Sequence, residues 1–421
     1  MKVLHICTQD SGGAGIAAYR LHIGLKSIGV ESKMLVLHSS SSDGDVVRFV
    51  QNNNIFRRLW AKLRNRLISS DFNVYKDTRP RGLDIFSDDR TIYDISKHSL
   101  VKEADIINLR WIARMVDQRE FFFNIHNKPI VWRLSDSNPF TGGCHIRQKC
   151  IKYQTGCGAC PQLGSNDPND LSRRIFKRKE KAYKGHNIHV VTPSKWLGNC
   201  AKKSLLFKNF EISVIPNGAP TTVFTRRDKR FSRDLLNLPQ NKTLILFGAS
   251  YKSKNKGFRY LMQSLKLLKE RIDTSKIALV IFGPKYLQDT LSEDKGFSIY
   301  SLGYIHDELL LSCVYSAVDM FVMPSLEENF PNTVLESMAC RTPVIGFSIG
   351  GVVDMIRPGE TGLLAKVRDA EELAEQIKWM IYHSKERKQM GLNARKVIEQ
   401  EYTLEIQAKR YQELYSSLSE T

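Results

Sequence analysis

The sequence lacks any long apolar segment, and no run approaches the roughly 18 residues that mark a membrane-spanning helix. The apolar run near the N-terminus, at residues 3–7, is too short for a secretory signal peptide, so we expect a cytosolic chain. Cysteine is scarce as well, with 8 residues in 421. Few cysteines without a signal peptide favour reduced thiols over a disulfide framework.

Acidic residues are also in short supply. The chain has 44 Asp and Glu against 63 Lys and Arg, a formal net charge of +19. This excess favours an acidic partner such as nucleic acid, an anionic membrane or a phosphorylated substrate. Nucleic acid is disfavoured, because no helix-turn-helix, zinc-finger or RNP-like pattern is present and the basic runs lack an array of stacking aromatics.

Short apolar runs alternate with segments of helical periodicity along the whole chain. The first unit has a strand at residues 3–7, a glycine-rich turn at residues 11–15 and a helix that ends at Gly29. The alternation restarts near residue 243, after a connecting segment at residues 215–224. Strands that alternate with helices predict parallel sheets covered on both faces, and the restart predicts a second such domain.

Two carboxylates, Glu328 and Glu336, flank a predicted helix start within residues 324–351, PSLEENFPNTVLESMACRTPVIGFSIGG. We expect Pro331 to be the first helical residue, after a cap one or two positions upstream. The amides of a helix start suit a diphosphate, and carboxylates accept hydrogen bonds from sugar or ribose hydroxyls. The combination describes a nucleotide-sugar site, although two glutamates at this spacing also occur by chance.

The surroundings of these glutamates resemble retaining glycosyltransferases of family 4. The resemblance is carried by residues 324–351, VIPNGAPTTVF (214–224), FGASYKSKNKGF (247–258) and DSGGAGIAAYRL (10–21). The stretch WRLSDSNPFTGGCHIRQKCIKYQTGCGACPQL (132–163) is similar to the subgroup associated with colanic-acid and O-antigen polysaccharides. The resemblance covers nearly the whole chain and implies the α/β GT-B fold, with two Rossmann-like, doubly wound domains facing a cleft.

The resemblance implies where the domains begin and end and what they do. Residues 1–218 would form the acceptor-side domain, residues 225–402 the nucleotide-sugar-binding domain, and a helix at about 403–421 would pack back on the first. The implied reaction transfers a sugar, with retention, from a nucleotide diphosphate sugar to a hydroxyl of a lipid-linked saccharide in bacterial surface polysaccharide biosynthesis. No cofactor or catalytic metal is implied.

Roles also follow from the resemblance at matching positions. Glu328 and Asp136 would be the catalytic-site carboxylates, with Glu328 in contact with the transferred sugar. Glu336 would hold the ribose hydroxyls, and Lys256 would neutralise the charge that develops on the leaving diphosphate. The full set of implied donor-binding residues is Gly12, Gly13, Lys256, Phe330, Asn332, Thr333 and Glu336.

Two departures from the family pattern keep other functions open: Ser135 stands where the family has His, and Ala249 where it has Arg. Pro331 also stands where the family has Gly, a change that we expect the helix start to tolerate. A catalytically inactive paralogue that binds a nucleotide or a membrane is therefore one alternative, and a sugar-nucleotide epimerase of the same fold is another. An NAD-dependent dehydrogenase is disfavoured, because His38 lies near the end of the second strand, where that class needs an acidic residue.

Four of the eight cysteines cluster between residues 144 and 160. They are Cys144, Cys150, Cys157 and Cys160. The Cys-x2-Cys spacing at the end of the cluster is typical of a structural zinc site, while the other two spacings are looser. A structural zinc held by four thiolates is one hypothesis. A buried thiol cluster and a redox pair are the alternatives.

Two basic segments locate the excess charge. From Ile55 to Ile68, Arg and Lys separate five apolar residues at helical spacing: Phe56, Leu59, Trp60, Leu63 and Leu67. This pattern is typical of a helix lying in the plane of an anionic membrane, and a core-docked helix with a solvated basic face is the alternative. A second basic run extends from Arg173 to Lys184. Both favour a cytoplasmic protein held peripherally on the inner face of the cytoplasmic membrane.

Overall fold

The computed structural model describes residues 1–51, 54–125, 128–248, 253–283 and 297–419. The chain divides into two compact units. The first is formed by Met1–Asn217 together with Glu405–Thr421, and the second by Gly218–Leu404. Among the described residues, no helix is both long and apolar enough to cross a membrane.

The first unit contains a parallel sheet of seven described strands. They are β1 (Lys2–Gln9), β2 (Glu31–His38), β3 (Val46–Arg48), β4 (Ile106–Leu109), β5 (Ile130–Arg133), β6 (Ile188–Thr192) and β7 (Ile212–Val214). Their spatial order is β3-β2-β1-β4-β5-β6-β7. The order reverses between β1 and β4, so the carboxyl ends of these strands flank the crevice where open α/β sheets bind ligands.

Helices in this unit connect successive strands. They are α1 (Gly12–Ser27), α2 (Ile55–Asn73), α3 (Ser99–Glu103), α4 (Gln118–Asn124), α5 (Leu171–Tyr183) and α6 (Lys195–Lys203). An aromatic core lies between β5 and the helices, where the buried Trp132 contacts Phe122, Tyr183 and Phe207 at ring-centroid distances of 5.3 to 5.8 Å. The alternating pattern of the sequence therefore yields the predicted doubly wound sheet.

The second unit contains a parallel sheet of six described strands. They are β8 (Thr243–Gly248), β9 (Ile277–Phe282), β10 (Ser298–Ser301), β11 (Met320–Met323), β12 (Val344–Phe347) and β13 (Gly362–Ala365). The spatial order is β10-β9-β8-β11-β12-β13. β8, β9, β11 and β12 are apolar runs with almost every residue buried, as expected for strands covered on both faces. The order reverses between β8 and β11.

The remaining helices among the described residues are α7 (Lys229–Leu235), α8 (Phe258–Lys269), α9 (Glu308–Ala317), α10 (Asn332–Ala339), α11 (Ala370–Tyr382), α12 (Ser384–Glu401) and α13 (Leu404–Ser419). Helix α13 packs on the first unit, where Tyr411 and Tyr415 join the core formed by Val3, Ile106 and Val131. The side-chain amide of Asn108 donates to the hydroxyl of Tyr415. The last helix of the chain therefore completes the core of the unit that contains the N-terminus.

Candidate active site

The implied donor-binding residues of the second unit gather at the carboxyl ends of β8 and β11, where the strand order reverses. Lys256 follows β8 in a turn of 3-10 helix, Lys254–Lys256, and Glu328 follows β11. The Lys256 Nζ lies 2.6 Å from Glu328 Oε1. Lys256 is 36% exposed and Glu328 is 14% exposed, so the ion pair is accessible from solvent. The structure thus joins two implied site residues that lie 72 positions apart.

The loop that carries Glu328 is held between two glycine turns. Gly257 has a φ of +67°, and a Cβ there would lie 1.7 Å from the carbonyl oxygen of Pro324. Gly350 has a φ of +49°, and a Cβ there would lie 2.0 Å from the carbonyl oxygen of Glu328. The Gly351 amide donates to that same oxygen at 3.0 Å. Only glycine fits this close an approach of backbone to backbone at both turns.

A buried asparagine fixes the same loop from the side of the lysine turn. The Asn255 amide nitrogen donates to the carbonyl oxygen of Glu327 at 2.8 Å, and the Leu326 amide donates to the Asn255 carbonyl oxygen at 2.7 Å. Asn255 immediately precedes Lys256. The backbone of the lysine turn and that of the glutamate loop are therefore hydrogen-bonded to each other beside the ion pair.

Helix α10 begins one residue later than predicted. Pro331 is the N-cap, with φ −68° and ψ 126°, and neither Asn329 nor Phe330 has that position. The proline ring permits this φ, and its missing N–H is not needed outside the helix. Asn332 and Thr333 consequently open the first turn, at the positive end of the helix dipole.

Glu336 and Phe330, the other two implied donor-binding residues of the second unit, are largely buried. Glu336, in α10, is buried, and its Oε2 accepts a hydrogen bond from the Tyr315 hydroxyl at 3.2 Å. The Phe330 ring is buried against Tyr402, with ring centroids 5.6 Å apart. The Phe330 side chain is thus part of the core. Ala249, the position of the missing arginine, lies outside the described residues.

The glycines implied for the first unit follow β1. Gly12 and Gly13 are the first two residues of α1, and Gly12 has a φ of +67°. A Cβ at Gly13 would meet nothing within 4 Å, whereas one at Gly15 would lie 2.5 Å from the carbonyl oxygen of Gln9. Gly15 is therefore required by the packing of α1 on β1, while Gly13 leaves open space beside the turn.

Asp136 follows β5 and lies in a polar network that the sequence did not predict. Its Oδ2 lies 2.6 Å from His145 Nδ1 and accepts a hydrogen bond from Trp111 Nε1 at 2.9 Å. The His145 Nε2 lies 2.9 Å from Ser87 Oγ. Burial alone would raise the pKa of Asp136, but His145, the Asn138 amide and the indole together hold it below its usual value. Asp136 is therefore ionised.

The histidine missing at position 135 has a spatial substitute beside Asp136. Ser135 accepts a hydrogen bond from Arg133 Nη1 at 2.9 Å, whereas His145 reaches Asp136 from nine positions downstream. His145 is buried, so it orients Asp136 rather than facing solvent. Sequence reasoning missed it, because the contact depends on the fold of the intervening loop.

The four clustered cysteines line one small cavity of about 20 Å³. Burial, followed by repulsion from the neighbouring thiols, raises the pKa of Cys157 to about 12, although the Gly142 amide donates to its sulfur at 3.2 Å. All eight cysteines are free. The four thiols are thus gathered in one place.

The spacing of the sulfur atoms does not fit a zinc ion in this conformation. In the described part of the chain, only one trio of candidate ligands has all donor atoms within 4.8 Å of one another: His22, Asp43 and Asp45. There, the Lys26 ammonium already lies 2.5 Å from an Asp45 oxygen, so we assign no metal to it. The zinc hypothesis for the cysteines stays a prediction.

The second basic run folds as α5, and ion pairs hold much of its charge within the unit. Arg178 lies 2.6 Å from an Asp89 oxygen, and Arg174 lies 3.1 Å from an Asp71 oxygen. Lys179 is buried and donates to the Asn138 carbonyl oxygen at 2.6 Å. These contacts reduce the charge that this run offers to a membrane, and its membrane contact stays a prediction.

Comparison with known proteins agrees with this geometry. Residues 241–383 match the family described as Glycosyl transferases group 1. The chain is 25% identical over 268 residues to the lipopolysaccharide 1,2-N-acetylglucosaminetransferase of Salmonella typhimurium, covering 60% of this chain and 68% of that one. It is 25% identical over 170 residues to the capsular polysaccharide biosynthesis glycosyltransferase CapM of Staphylococcus aureus, covering 39% and 43%. The chain thus spans about half the length of several such relatives.

The whole chain also has the fold of solved structures. It superposes on Alr3699/HepE of Anabaena, solved in complex with UDP-glucose, with a TM-score of 0.67, 16% identity and coverage of 99% of this chain and 100% of that one. This superposition and the two doubly wound sheets confirm the predicted GT-B fold class. The second unit therefore contains the segment that matches the group 1 glycosyl transferases, within a chain of GT-B fold.

The close approach of Gly257 to the loop that carries Glu328 predicts different effects for two otherwise similar glycine substitutions. Gly257→Ala should lower the free energy of unfolding by about 3 kcal/mol, from left-handed backbone strain plus the clash with Pro324. Gly303 is the matched control: its φ is +68° and a Cβ there would meet nothing within 4 Å. Gly303→Ala should cost about 1 kcal/mol. Thermal unfolding of both variants tests this. Equal losses in the free energy of unfolding would show that the contact with Pro324 does not require glycine at position 257.

The zinc hypothesis for the four cysteines predicts a metal content that can be measured directly. If the thiols close on zinc, protein purified without chelator should contain about one zinc per chain by elemental analysis, and Cys157→Ser should lose it. Cys313→Ser, outside the cluster, should keep it. Wild-type protein without zinc, taken from zinc-supplemented cells, would contradict the hypothesis and leave a buried thiol cluster.

Proposed function

We propose that this protein is a retaining glycosyltransferase. It transfers a sugar from a nucleotide diphosphate sugar to a hydroxyl of a lipid-linked saccharide in bacterial surface polysaccharide biosynthesis, on the inner face of the cytoplasmic membrane. The observation that carries the proposal is the Lys256–Glu328 pair at the strand-order reversal of a group 1 domain. The proposed reaction uses the donor and the acceptor and no cofactor.

The charges of this site suit a nucleotide sugar. Lys256 offers a cation to the diphosphate, and the first turn of α10 adds the positive end of a helix dipole at Asn332 and Thr333. Glu328 and Glu336 offer acceptors to hydroxyl groups, with Glu336 as the ribose partner. The UDP-glucose in the Anabaena complex supports this donor class, and the Salmonella and Staphylococcus relatives support a surface polysaccharide as the product.

In the proposed reaction one bond at the anomeric carbon is exchanged for another. The bond from the anomeric carbon to the phosphate oxygen breaks, and a bond to the acceptor oxygen forms. The acceptor proton leaves with the nucleoside diphosphate. Lys256 stabilises the negative charge that develops on the departing phosphate, and Glu328 stabilises positive charge on the sugar. Glycosyl transfer thus needs no redox partner and no second nucleotide.

Asp136 acts from the first unit as the second catalytic carboxylate. Its hydrogen bonds from Trp111 and the contact with His145 hold the carboxylate ionised and in one orientation. Gly12 and Gly13 allow a donor to approach the turn after β1, because they have no side chain. The His145 contact argues against the inactive-paralogue alternative, since Ser135 does not leave Asp136 without an imidazole partner.

A donor panel tests the proposed function. Purified protein is incubated with nucleotide diphosphate sugars, with and without a membrane lipid extract, and the release of free nucleoside diphosphate is measured. Release that depends on one sugar and increases with the extract is expected. Tight nucleotide binding without release from any donor would instead identify an inactive paralogue, and conversion of the donor to an isomer would identify an epimerase.

Glu328→Gln should reduce turnover by about 100-fold or more while the donor KM changes far less. The reason is that the lost charge acts on the reacting sugar and not on the bound ground state. Glu270→Gln, an exposed carboxylate of the same unit, is the matched control and should retain full activity. Equal losses in turnover and donor affinity would reduce Glu328 to a binding residue.

Lys256→Ala should weaken nucleoside diphosphate binding about tenfold, the loss expected for one charged hydrogen bond. Because the substitution also leaves Glu328 facing the diphosphate unpaired, the double variant Lys256→Ala/Glu328→Gln should recover part of that affinity. Calorimetric titration measures both, with Lys266→Ala as the surface control. Unchanged affinity in Lys256→Ala would remove Lys256 from the site.

A further inference from the structure

Helix α2 displays its apolar side chains to solvent. None of its 19 residues is buried. Its large apolar side chains on one stripe are 49% to 78% exposed, namely Phe56, Leu59, Trp60, Leu63 and Leu67. A helix packed on a core has the opposite arrangement, and a contiguous exposed apolar surface marks a docking site. The five residues of the stripe are therefore not docked on a core, whereas Phe72, near the end of the helix, packs on Phe86.

Polar contacts on the inner side of α2 set this orientation. Arg64 Nε donates to the carbonyl oxygen of Thr91 at 2.6 Å, and its guanidinium pairs with the buried Asp117. Near the end of the helix, Asp71 lies 2.7 Å from Arg90 Nη2. These contacts join the inner side of α2 to other residues of the first unit. They hold the helix in one rotation about its axis, with the apolar stripe turned outward.

The charges beside the stripe are of one sign. From the start of α2 up to Asp71 the helix carries five basic residues and no acidic one. Arg64 is used in the inner contacts, whereas Arg58, Lys62 and Arg66 form no ion pair with any described residue. Unpaired cations beside exposed apolar side chains complement a bilayer that has both an acyl interior and anionic head groups.

The same charges argue against a second copy of the chain as the occupant. A symmetric dimer pairs the same patch on both subunits. Two copies of α2 would therefore bring the cations of one helix against those of the other while the apolar stripes met. An anionic surface removes this repulsion and a second copy creates it.

We propose that α2 is a membrane-docking helix that lies in the plane of an anionic bilayer, with the stripe at the acyl boundary and Arg58, Lys62 and Arg66 at the head groups. The inference extends the proposed function, because a lipid-linked acceptor would be reached from that surface. Membrane docking itself does not depend on catalysis, so the two can fail separately.

Vesicle flotation of the full chain tests the proposal without any donor sugar. Binding is compared for vesicles of phosphatidylcholine alone and of phosphatidylcholine with phosphatidylglycerol. The wild type should float with the anionic vesicles, and salt should weaken binding. The stripe variant Leu59→Ser/Trp60→Ser/Leu63→Ser should bind the anionic vesicles with an affinity at least about tenfold lower. The charge variant Arg58→Gln/Lys62→Gln/Arg66→Gln should lose the preference for anionic vesicles.

A matched control uses exposed leucines of the second unit. Leu309→Ser/Leu392→Ser should bind vesicles like the wild type, because both side chains are exposed far from α2 in sequence. All variants replace exposed residues, and equal thermal unfolding midpoints would show that they fold. Trp60 fluorescence should shift to the blue on binding, and the shift should be absent in Trp60→Phe.

Two results would overturn the proposal. One is vesicle binding by the stripe variant equal to that of the wild type. The other is a dimer in light scattering that the stripe variant abolishes, because a second copy would then cover the stripe. Vesicle binding as expected, together with no sugar release in the donor panel, would leave the docking helix intact and refute only the proposed transferase.

Discussion

The close approach of two backbone turns to one loop is the constraint on which the candidate site depends. Gly257 and Gly350 each lie where a Cβ would overlap a carbonyl oxygen of the loop that carries Glu328. Because the loop cannot move toward either turn, Glu328 is presented at a fixed place beside Lys256. Strand order adds the second half of the constraint, since β8 and β11 are neighbours at the reversal of the sheet. A flexible loop at this point would not keep the ion pair.

In the first unit, side chains rather than glycines hold a candidate catalytic carboxylate in place. Asp136 is positioned by Trp111 and His145, which come from two different loops. Their hydrogen bonds offset the cost of burying the carboxylate, which by itself would favour the protonated form. The buried network therefore keeps a negative charge at the carboxyl end of β5, although the histidine expected directly before Asp136 is a serine.

Two basic helices of similar composition differ in which of their side chains are buried. In α5, arginines meet Asp71, Asp88 and Asp89, and the apolar residues enter the core. In α2, Phe72 packs on Phe86 and Arg64 and Asp71 form ion pairs on the inner side, whereas the five apolar residues of the stripe are exposed. The difference arises from the partners that the fold supplies. Charge and periodicity alone predict the same membrane contact for both segments. The contact stays a prediction for each, and only in α2 do exposed apolar residues support it.

The amino-acid sequence alone predicts two parallel sheets covered by helices, because buried parallel strands are continuous apolar runs that alternate with helices. The GT-B arrangement follows from the family resemblance. The sequence also located Lys256, Glu328 and Glu336 through that resemblance. It did not reveal β3 or β7, which are three residues long, or β10, whose sequence is largely polar. The folded chain was needed to show that His145 contacts Asp136, that α10 starts after Pro331, and which basic helix exposes its apolar residues. Those outcomes depend on contacts between residues distant in sequence, and local patterns do not encode such contacts.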